Sequence, residues 1–537
     1  MRALFSVDGE LPSQGHGFVR TTPHPPSAPS PLTEARATHL RSRENTSLFA
    51  LDGEPASPVH SFARTTPSHL RSGEKASFVA LLPATSGEKV AEGRMRGRAI
   101  VPALAIFLLS LFIATTTSAQ STIPNNPGIK ATVAIRNATI VPVSSAPIAN
   151  GTIVFANGRI TAIGTNVAVP AGATVIDGAG LFVYPGMIDS GSSVGLVEVD
   201  SVAGTVDTSE LGEFNPNARA AVAINPHSEL IPVTRVNGVT HVVSTPEGGV
   251  ISGESALIQL AGWTPAQMVV KSPAAMHIRF PRLRDSPFES ASLDEDADKD
   301  LKKNYTKEVD ALRDLFRDAQ AYAKAAAARS IDRNVQRFDR DLVLEALMPV
   351  LEGRVPVMLH ANQARDIKAA LEFADEFKLK AILAGGTDVA RVIPELKKRN
   401  VPVILGPILA LPQREDDPYD LLFTNAKTLY DNGIAFAIQS ADAHNTRNLP
   451  YHAAACAAFG LPKDVALKSV TLFPAQIFGV ADRLGSLEVG KEASLIVTDG
   501  DPLEIRTNVK RVYIAGEEIS MESRHTLLYE KFSKRPN

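Results

Sequence analysis

Pro185-Gly186-Met187-Ile188-Asp189-Ser190-Gly191-Ser192-Ser193 is the stretch on which the reading of this 537-residue chain turns. It stands between two kinds of sequence. Short β segments separated by turn residues lie upstream, and a long run that alternates strand and helix lies downstream. The stretch itself ends in small residues. Neither Gly191 nor Ser193 offers the imidazole nitrogen that a zinc-type site draws on.

Upstream, Thr132 to Val141 has a period of two, the mark of a half-buried strand. Gly151 to Phe155 and Arg159 to Gly164 flank Ala156-Asn157-Gly158, a hairpin with an Asn-Gly turn. Thr174 to Gly178 reads as another short strand. At the far end, Gly485 to Val497 and Val509 to Glu518 again read as strands and turns. The two β segments predict one small β-sandwich built from both ends of the mature chain. Between them, Val355 to His360, Lys380 to Ala384, Val401 to Gly406 and Ile434 to Asp442 read as strands. Asp366 to Phe377, Val389 to Arg399 and Tyr419 to Asn432 read as helices. This alternation predicts parallel βαβ units, and the unbroken apolar runs suit strands covered on both faces. Residues 284 to 346 are charged, Ala-rich and helical. Their acidic start, Asp294 to Asp298, reads as a solvated helix start or loop.

Composition is ordinary for a globular protein, 44% hydrophobic and 21% charged. A formal net charge of −3 gives no basic field for nucleic acid. A single cysteine, Cys456, excludes an internal disulfide and any multi-cysteine metal site. It sits in an apolar helical run and reads as a buried thiol.

Residues 1–94 are rich in Pro, Ser, Arg and Thr and repeat themselves. Phe5-Ser6-Val7-Asp8-Gly9-Glu10 recurs as Phe49-Ala50-Leu51-Asp52-Gly53-Glu54, without an amphipathic face to stack. Disorder is the expectation. Met95-Arg96-Gly97-Arg98, the apolar run Ala99 to Ala114 and Thr115 to Ala119 then form a secretory signal pattern, too short for a spanning helix. Such a signal belongs at an N-terminus. Translation is therefore expected to start at Met95, with residues 1–94 an upstream extension. The rival reading is a membrane anchor preceded by a disordered cytoplasmic tail. Either way the folded part is expected to be secreted or periplasmic, with no stable membrane span once the signal is cleaved.

The order of elements resembles the amidohydrolase superfamily along nearly all of residues 129–520, and most of all its imidazolonepropionase-like branch. Tyr184 to Asp189 is similar to the run that opens that family's barrel. Asn237 to Val243 resembles its second strand. Arg483-Leu484-Gly485-Ser486-Leu487-Glu488-Val489-Gly490-Lys491-Glu492-Ala493-Ser494-Leu495 is similar to its return motif. The resemblance implies an α/β fold, a distorted TIM (β/α)8 barrel plus the small β-sandwich. The expected divisions are 129–183 and 481–520 for the sandwich, 184–480 for the barrel and 521–537 for a C-terminal tail.

In that family two first-strand histidines, a fourth-strand carboxylated lysine, fifth- and sixth-strand histidines and an eighth-strand aspartate hold a metal. The aspartate also activates metal-bound water. Here His360 matches the fifth-strand histidine and Asp442 the aspartate. Gly191 and Ser193 replace the first pair, Ala384-Gly385-Gly386-Thr387 lacks a histidine, and Lys271 is a poor candidate lysine. Two ligands fall short of the three or four that zinc sites use. His444, His227, Glu198, Asp200, Asp207, Glu210, Glu247 and Glu254 lie in the loops at the barrel mouth and His241 inside the second strand, and a relocated carboxylate-rich site would suit Mg, Ca or Mn. His241 reads more simply as a core histidine.

The resemblance thus implies a hydrolase for a non-peptide, cyclic or linear C–N bond with an atypical or depleted metal site. Asp442 is expected as general base. His360 is expected to bind a metal or the substrate carbonyl, and His444, Asn362 and Glu247 to contact substrate. The metal pair is His360 and Asp442, holding Zn, Mn or Mg, or no metal at all. The partner is a small molecule, and homo-oligomerisation is left open. A non-catalytic binding protein on the same barrel is the rival reading. Nucleophilic Ser or Cys catalysis is not expected, and Cys456 sits in a helical run.

Overall fold

The structure, a computed structural model, describes residues 131–283, 295–332, 334 and 336–536. The expected extension, signal and linker before residue 131 lie outside them.

The two chain ends do meet in one sheet. Its first strands are β1 (Val133–Ile140), β2 (Ile148–Ala156), β3 (Arg159–Gly164), β4 (Thr174–Asp177) and β5 (Phe182–Pro185). The barrel strands are β6 (Met187–Ser192), β7 (Val239–Ser244), β8 (Ile251–Glu254), β9 (Ala256–Gln259), β10 (Val269–Lys271), β11 (Met276–Arg279), β12 (Val357–Ala361), β13 (Ala381–Gly385), β14 (Val403–Leu405) and β15 (Phe436–Ile438). The end strands are β16 (Leu495–Thr498), β17 (Val509–Ile514) and β18 (Glu517–Ile519). The terminal sheet runs β18-β17-β16-β5-β1-β2-β3, with β4 on β1. Asn157 and Gly158 take φ of 51° and 81°, as the predicted Asn-Gly turn requires. Phe155 on β2 and Tyr513 on β17, far apart in strand order, meet edge to face at 5.0 Å. The terminal element is therefore one hydrogen-bonded sheet curled on itself around its own apolar core.

The middle forms eight staves: β6, β7, β8–β9, β10–β11, β12, β13, β14 and β15. β8 and β9 are one strand bent at Ser255, and β10 and β11 run alongside it. Ser255 N donates to Ala275 O (2.9 Å) and Ala274 N to Ser255 O (2.8 Å), bridging the break. The third stave is antiparallel to both neighbours, whereas the other ladders are parallel. Chain length explains the reversal. β7 and β8 are joined only by residues 245–250, and a parallel crossover needs a dozen residues or more. The seam between β15 and β6 has no strand ladder. Ala441 N donates to Gly191 O (2.9 Å) there, while Ile438 N and Ile188 N donate to Ser469 O and Val470 O lower down.

Alternate residues face two cores. Val357, Leu359, Leu383, Val403 and Phe436 pack outward on helix residues Ile367, Leu371, Phe373, Leu396 and Leu429. Ile188, Val243, Met358, Ile382, Ile404 and Ala437 fill the interior. His360 shares the inward parity of Met358. The charged segment resolves into helix Glu295–Ile331 and helix Leu342–Leu351. Val309, Leu312, Phe316 and Ala319 bury one stripe of the first, with Phe316 5.0 Å from Phe373. Cys456 is fully buried in helix Leu449–Ala458, and burial pushes its thiol up to about 12.

Candidate active site at the barrel mouth

β11 and β12 pair in parallel so that Arg279 stands beside His360, with His277 one inward step below. His277 Nδ1 and His360 Nε2 are 2.9 Å apart, so one ring donates to the other. His277 is fully buried, while His360 is half-buried. Burial, the His360 ring and Arg279 hold His277 well below the usual imidazole range. Burial, then Arg279, pushes His360 down to about 3. Both rings are neutral at neutral pH. His277 Nε2 is buried with no hydrogen-bond partner among the described residues.

Arg279 closes the cluster. One of its terminal nitrogens, Nη2, lies 3.7 Å from Glu247 Oε2, in the loop after β7. That exceeds hydrogen-bond range. Its Nε is buried and has no hydrogen-bond partner among the described residues. Each buried polar atom left unpaired costs about 1–3 kcal/mol.

The β6–β15 seam carries a second polar group. Asp189 is fully buried, and its Oδ1 accepts Gly191 N (3.0 Å) and Ser440 N (3.1 Å). Burial pushes its carboxyl up to about 7, and the charge of Asp442 adds to that rise against these bonds. Asp442 itself serves its own turn. Its Oδ1 accepts His444 N (2.7 Å) and Asn445 N (3.2 Å), and its Oδ2 accepts Asn445 Nδ2 (2.8 Å). Burial would raise its pKa, but these donors outweigh burial and hold it below the usual carboxylate range. Among the described residues no hydrogen bond or ion pair joins Asp442 to His360. His444 lies 3.5 Å from Asp200 and 4.0 Å from Asp442.

The family's metal positions are occupied differently. A Cβ on Gly191 would meet Gln439 Oε1, whose amide nitrogen reaches Gly406 O at 3.3 Å. Gly385, at φ 92°, would drive a Cβ onto Asn362 Oδ1, and a side chain there is strained in any case. Lys271 sits at the opposite end of its stave from Arg279, where Nζ donates to Phe478 O (2.7 Å). Among the described residues no three His, Cys, Asp or Glu side chains converge as an ion would need. At the matched positions the chain presents His360 and Asp442 beside Gly191, Ser193 and Gly385, fewer donors than the three or four a zinc site uses.

Of the expected site residues, the structure brings His360 and Glu247 to one cluster through Arg279. Asn362 lines a cavity of about 60 Å³ with Gly406 and Asn425, and Asp442 and His444 stand at the β15 loop. His241 is a buried core group, its Nδ1 2.9 Å from Thr240 Oγ1 and its Nε2 3.7 Å from Glu492. His277, Arg279 and Gln439 were not singled out from sequence. The signal for the first two was the alternation Met276-His277-Ile278-Arg279, which puts two polar side chains on one face of an apolar strand.

Comparison with known proteins agrees with this architecture. Residues 352–519 match the sequence profile of the Amidohydrolase family. The amidohydrolase tasK of Hapsidospora irregularis is 26% identical over 388 residues, 68% of this chain and 39% of that protein, so the chain spans well under half of that relative. The crystal structure of an amidohydrolase from Thermotoga maritima MSB8 superposes with a TM-score of 0.64 at 26% identity, over 72% of this chain and 99% of that one. The family profile, the curated relative and the solved structure all place this chain's similarity with amidohydrolases.

Proposed function

We propose that this protein hydrolyses a C–N bond of a small, non-peptide molecule, with protein side chains standing where the family uses a complete metal set. The observation that carries the reading is the His277–His360–Arg279 cluster, two of whose buried polar atoms have no protein partner among the described residues. Such atoms are costly unless a ligand satisfies them. It lies at the carboxyl ends of adjoining staves, where barrel enzymes place their chemistry.

In this reading Arg279 anchors the substrate beside His360. His277 fixes the tautomer of His360. Arg279 is among the groups holding His360's proton affinity down, so a substrate anion beside Arg279 raises it; the ring then takes a proton from the water that attacks the carbonyl carbon and gives it to the nitrogen as the C–N bond breaks. Asp442, held by three turn donors, acts by positioning the β15 loop. The proposal also puts the mature protein outside the cytoplasm, on the pattern of residues 95–119. An N-terminus at Gln120 in the native protein would support that, and native protein found only in the cytoplasmic fraction would contradict it.

The test is turnover of a panel of N-acyl amides, lactams and carbamates by the full chain. His360→Ala should cost about 10²–10⁴ in kcat if the ring transfers a proton. A specific observation favours one rival, a binding protein without catalysis: Gln439 and Asn362 fill the space of lost ligands. Saturable ligand binding with no turnover by any panel member would establish that rival.

A further inference from the structure

We propose that the ligand of this site carries a carboxylate, held side-on by Arg279, and that Glu247 is the group it displaces. This deepens the hydrolase reading and rests on it for the location of the pocket.

Nε and Nη2 form one edge of a guanidinium, and that edge matches the two oxygens of a carboxylate. On Arg279 the edge is unsatisfied. Nε is buried without a hydrogen-bond partner among the described residues. Nη2 faces Glu247 Oε2 across 3.7 Å. The Arg279 and Glu247 side chains are 41% and 49% exposed, so this pair is weak and solvent-screened. Beside Arg279 stand the His360 and His277 rings, which hydrogen-bond each other at 2.9 Å rather than the guanidinium. The one carboxylate facing this edge is Glu247, too distant at 3.7 Å to hydrogen-bond it, so the edge's donors stay open. A planar anion from the ligand meets both donors bidentately. Glu247, on a loop carrying Gly248 and Gly249 at positive φ, is the carboxylate that has to give way.

The experiment measures binding by calorimetry and turnover by product release. The probes are N-acetylglycine, N-acetyl-L-proline, N-acetyl-L-leucine and N-acetyl-L-phenylalanine, each against its own carboxamide. Wild type should bind at least one acid tenfold or more tighter than its amide. Arg279→Met should erase that preference and Arg279→Lys should restore only part of it. Glu247→Gln should tighten the acids severalfold and leave the amides unchanged. Thermal unfolding of each variant checks that it is folded. Equal response to acids and amides, no response to either, or a preference that survives Arg279→Met would overturn the proposal. Turnover keeps the two readings apart. Hydrolysis without acid preference defeats the carboxylate site alone, and Arg279-dependent acid binding without hydrolysis defeats the hydrolase alone.

Discussion

His277 Nδ1 and His360 Nε2 stand 2.9 Å apart on neighbouring parallel strands, and burial keeps both rings uncharged. This pairing sets what His360 can do. One ring nitrogen is committed to His277, which leaves the other for a ligand. Removing His277 should therefore free His360 and leave it less well oriented. His277→Ala is expected to cost about 1–3 kcal/mol in stability from the lost partner, more with the cavity. Urea denaturation measures this. A change below a few tenths of a kcal/mol would show that the pair contributes nothing.

Gly191 should be coupled to Gln439. Gly191→His forces the Gln439 side chain out of its place against Gly191. It should destabilise by about 1–3 kcal/mol in wild type and by much less in a Gln439→Ala background. A double-mutant cycle on thermal stability reads the coupling. Additive effects would mean that the two residues do not share the space.

pH should act on stability in two opposed ways. His360, His277 and His452 have pKa values lowered by burial, to about 3 for His360 and about 4 for His452. The unfolded chain binds those protons first, so stability is lost as pH falls below about 6.5. Asp189, raised from 3.8 to about 7, has the opposite sign. The folded state holds its proton where the unfolded state does not, so this contribution fades as pH rises from about 4 to 7. Asp189→Asn should remove that downward slope, on the order of a few kcal/mol, and leave the acid loss from the histidines. Identical pH–stability curves for wild type and variant would refute the assignment.

Arg414 clasps the loop after β14. Its guanidinium bonds Asp388 Oδ1 and Asp417 Oδ1, both at 2.7 Å, and Asp388 also accepts Ala364 N at the start of helix Ala364–Phe377. Both aspartates are almost fully buried. Arg414→Met leaves two buried carboxylates without a cation and should cost about 3–5 kcal/mol by chemical denaturation. Arg414→Lys should recover part of the loss, since it restores charge without the fork.

The alternation of strand and helix from Val355 to Asp442 was legible because buried parallel strands are uninterrupted apolar runs. The hairpin at Asn157-Gly158 was legible because its turn needs residues that accept positive φ. The antiparallel third stave was not, since Ile251 to Gln259 carries no sign of the direction in which it will pair. His360 and Asp442 were found as residues, but their partners were not. Asp442 bonds to its own turn, and His360 to a histidine 83 positions earlier. Separations of that size are closed by β11–β12 pairing, which one strand's sequence does not encode. The filling of the lost ligand positions by Gln439 and Asn362 belongs to the same kind of information.

The most direct test of the central claim, catalysis by protein groups in place of the family's metal set, is elemental analysis alongside turnover. The protein would be purified without chelator or affinity metal, and its best amide substrate assayed before and after dialysis against a chelator. The account predicts metal far below one equivalent and hydrolysis that survives the chelator but not His360→Ala or Arg279→Met. Near-stoichiometric metal, with activity that the chelator abolishes and added ion restores, would contradict it.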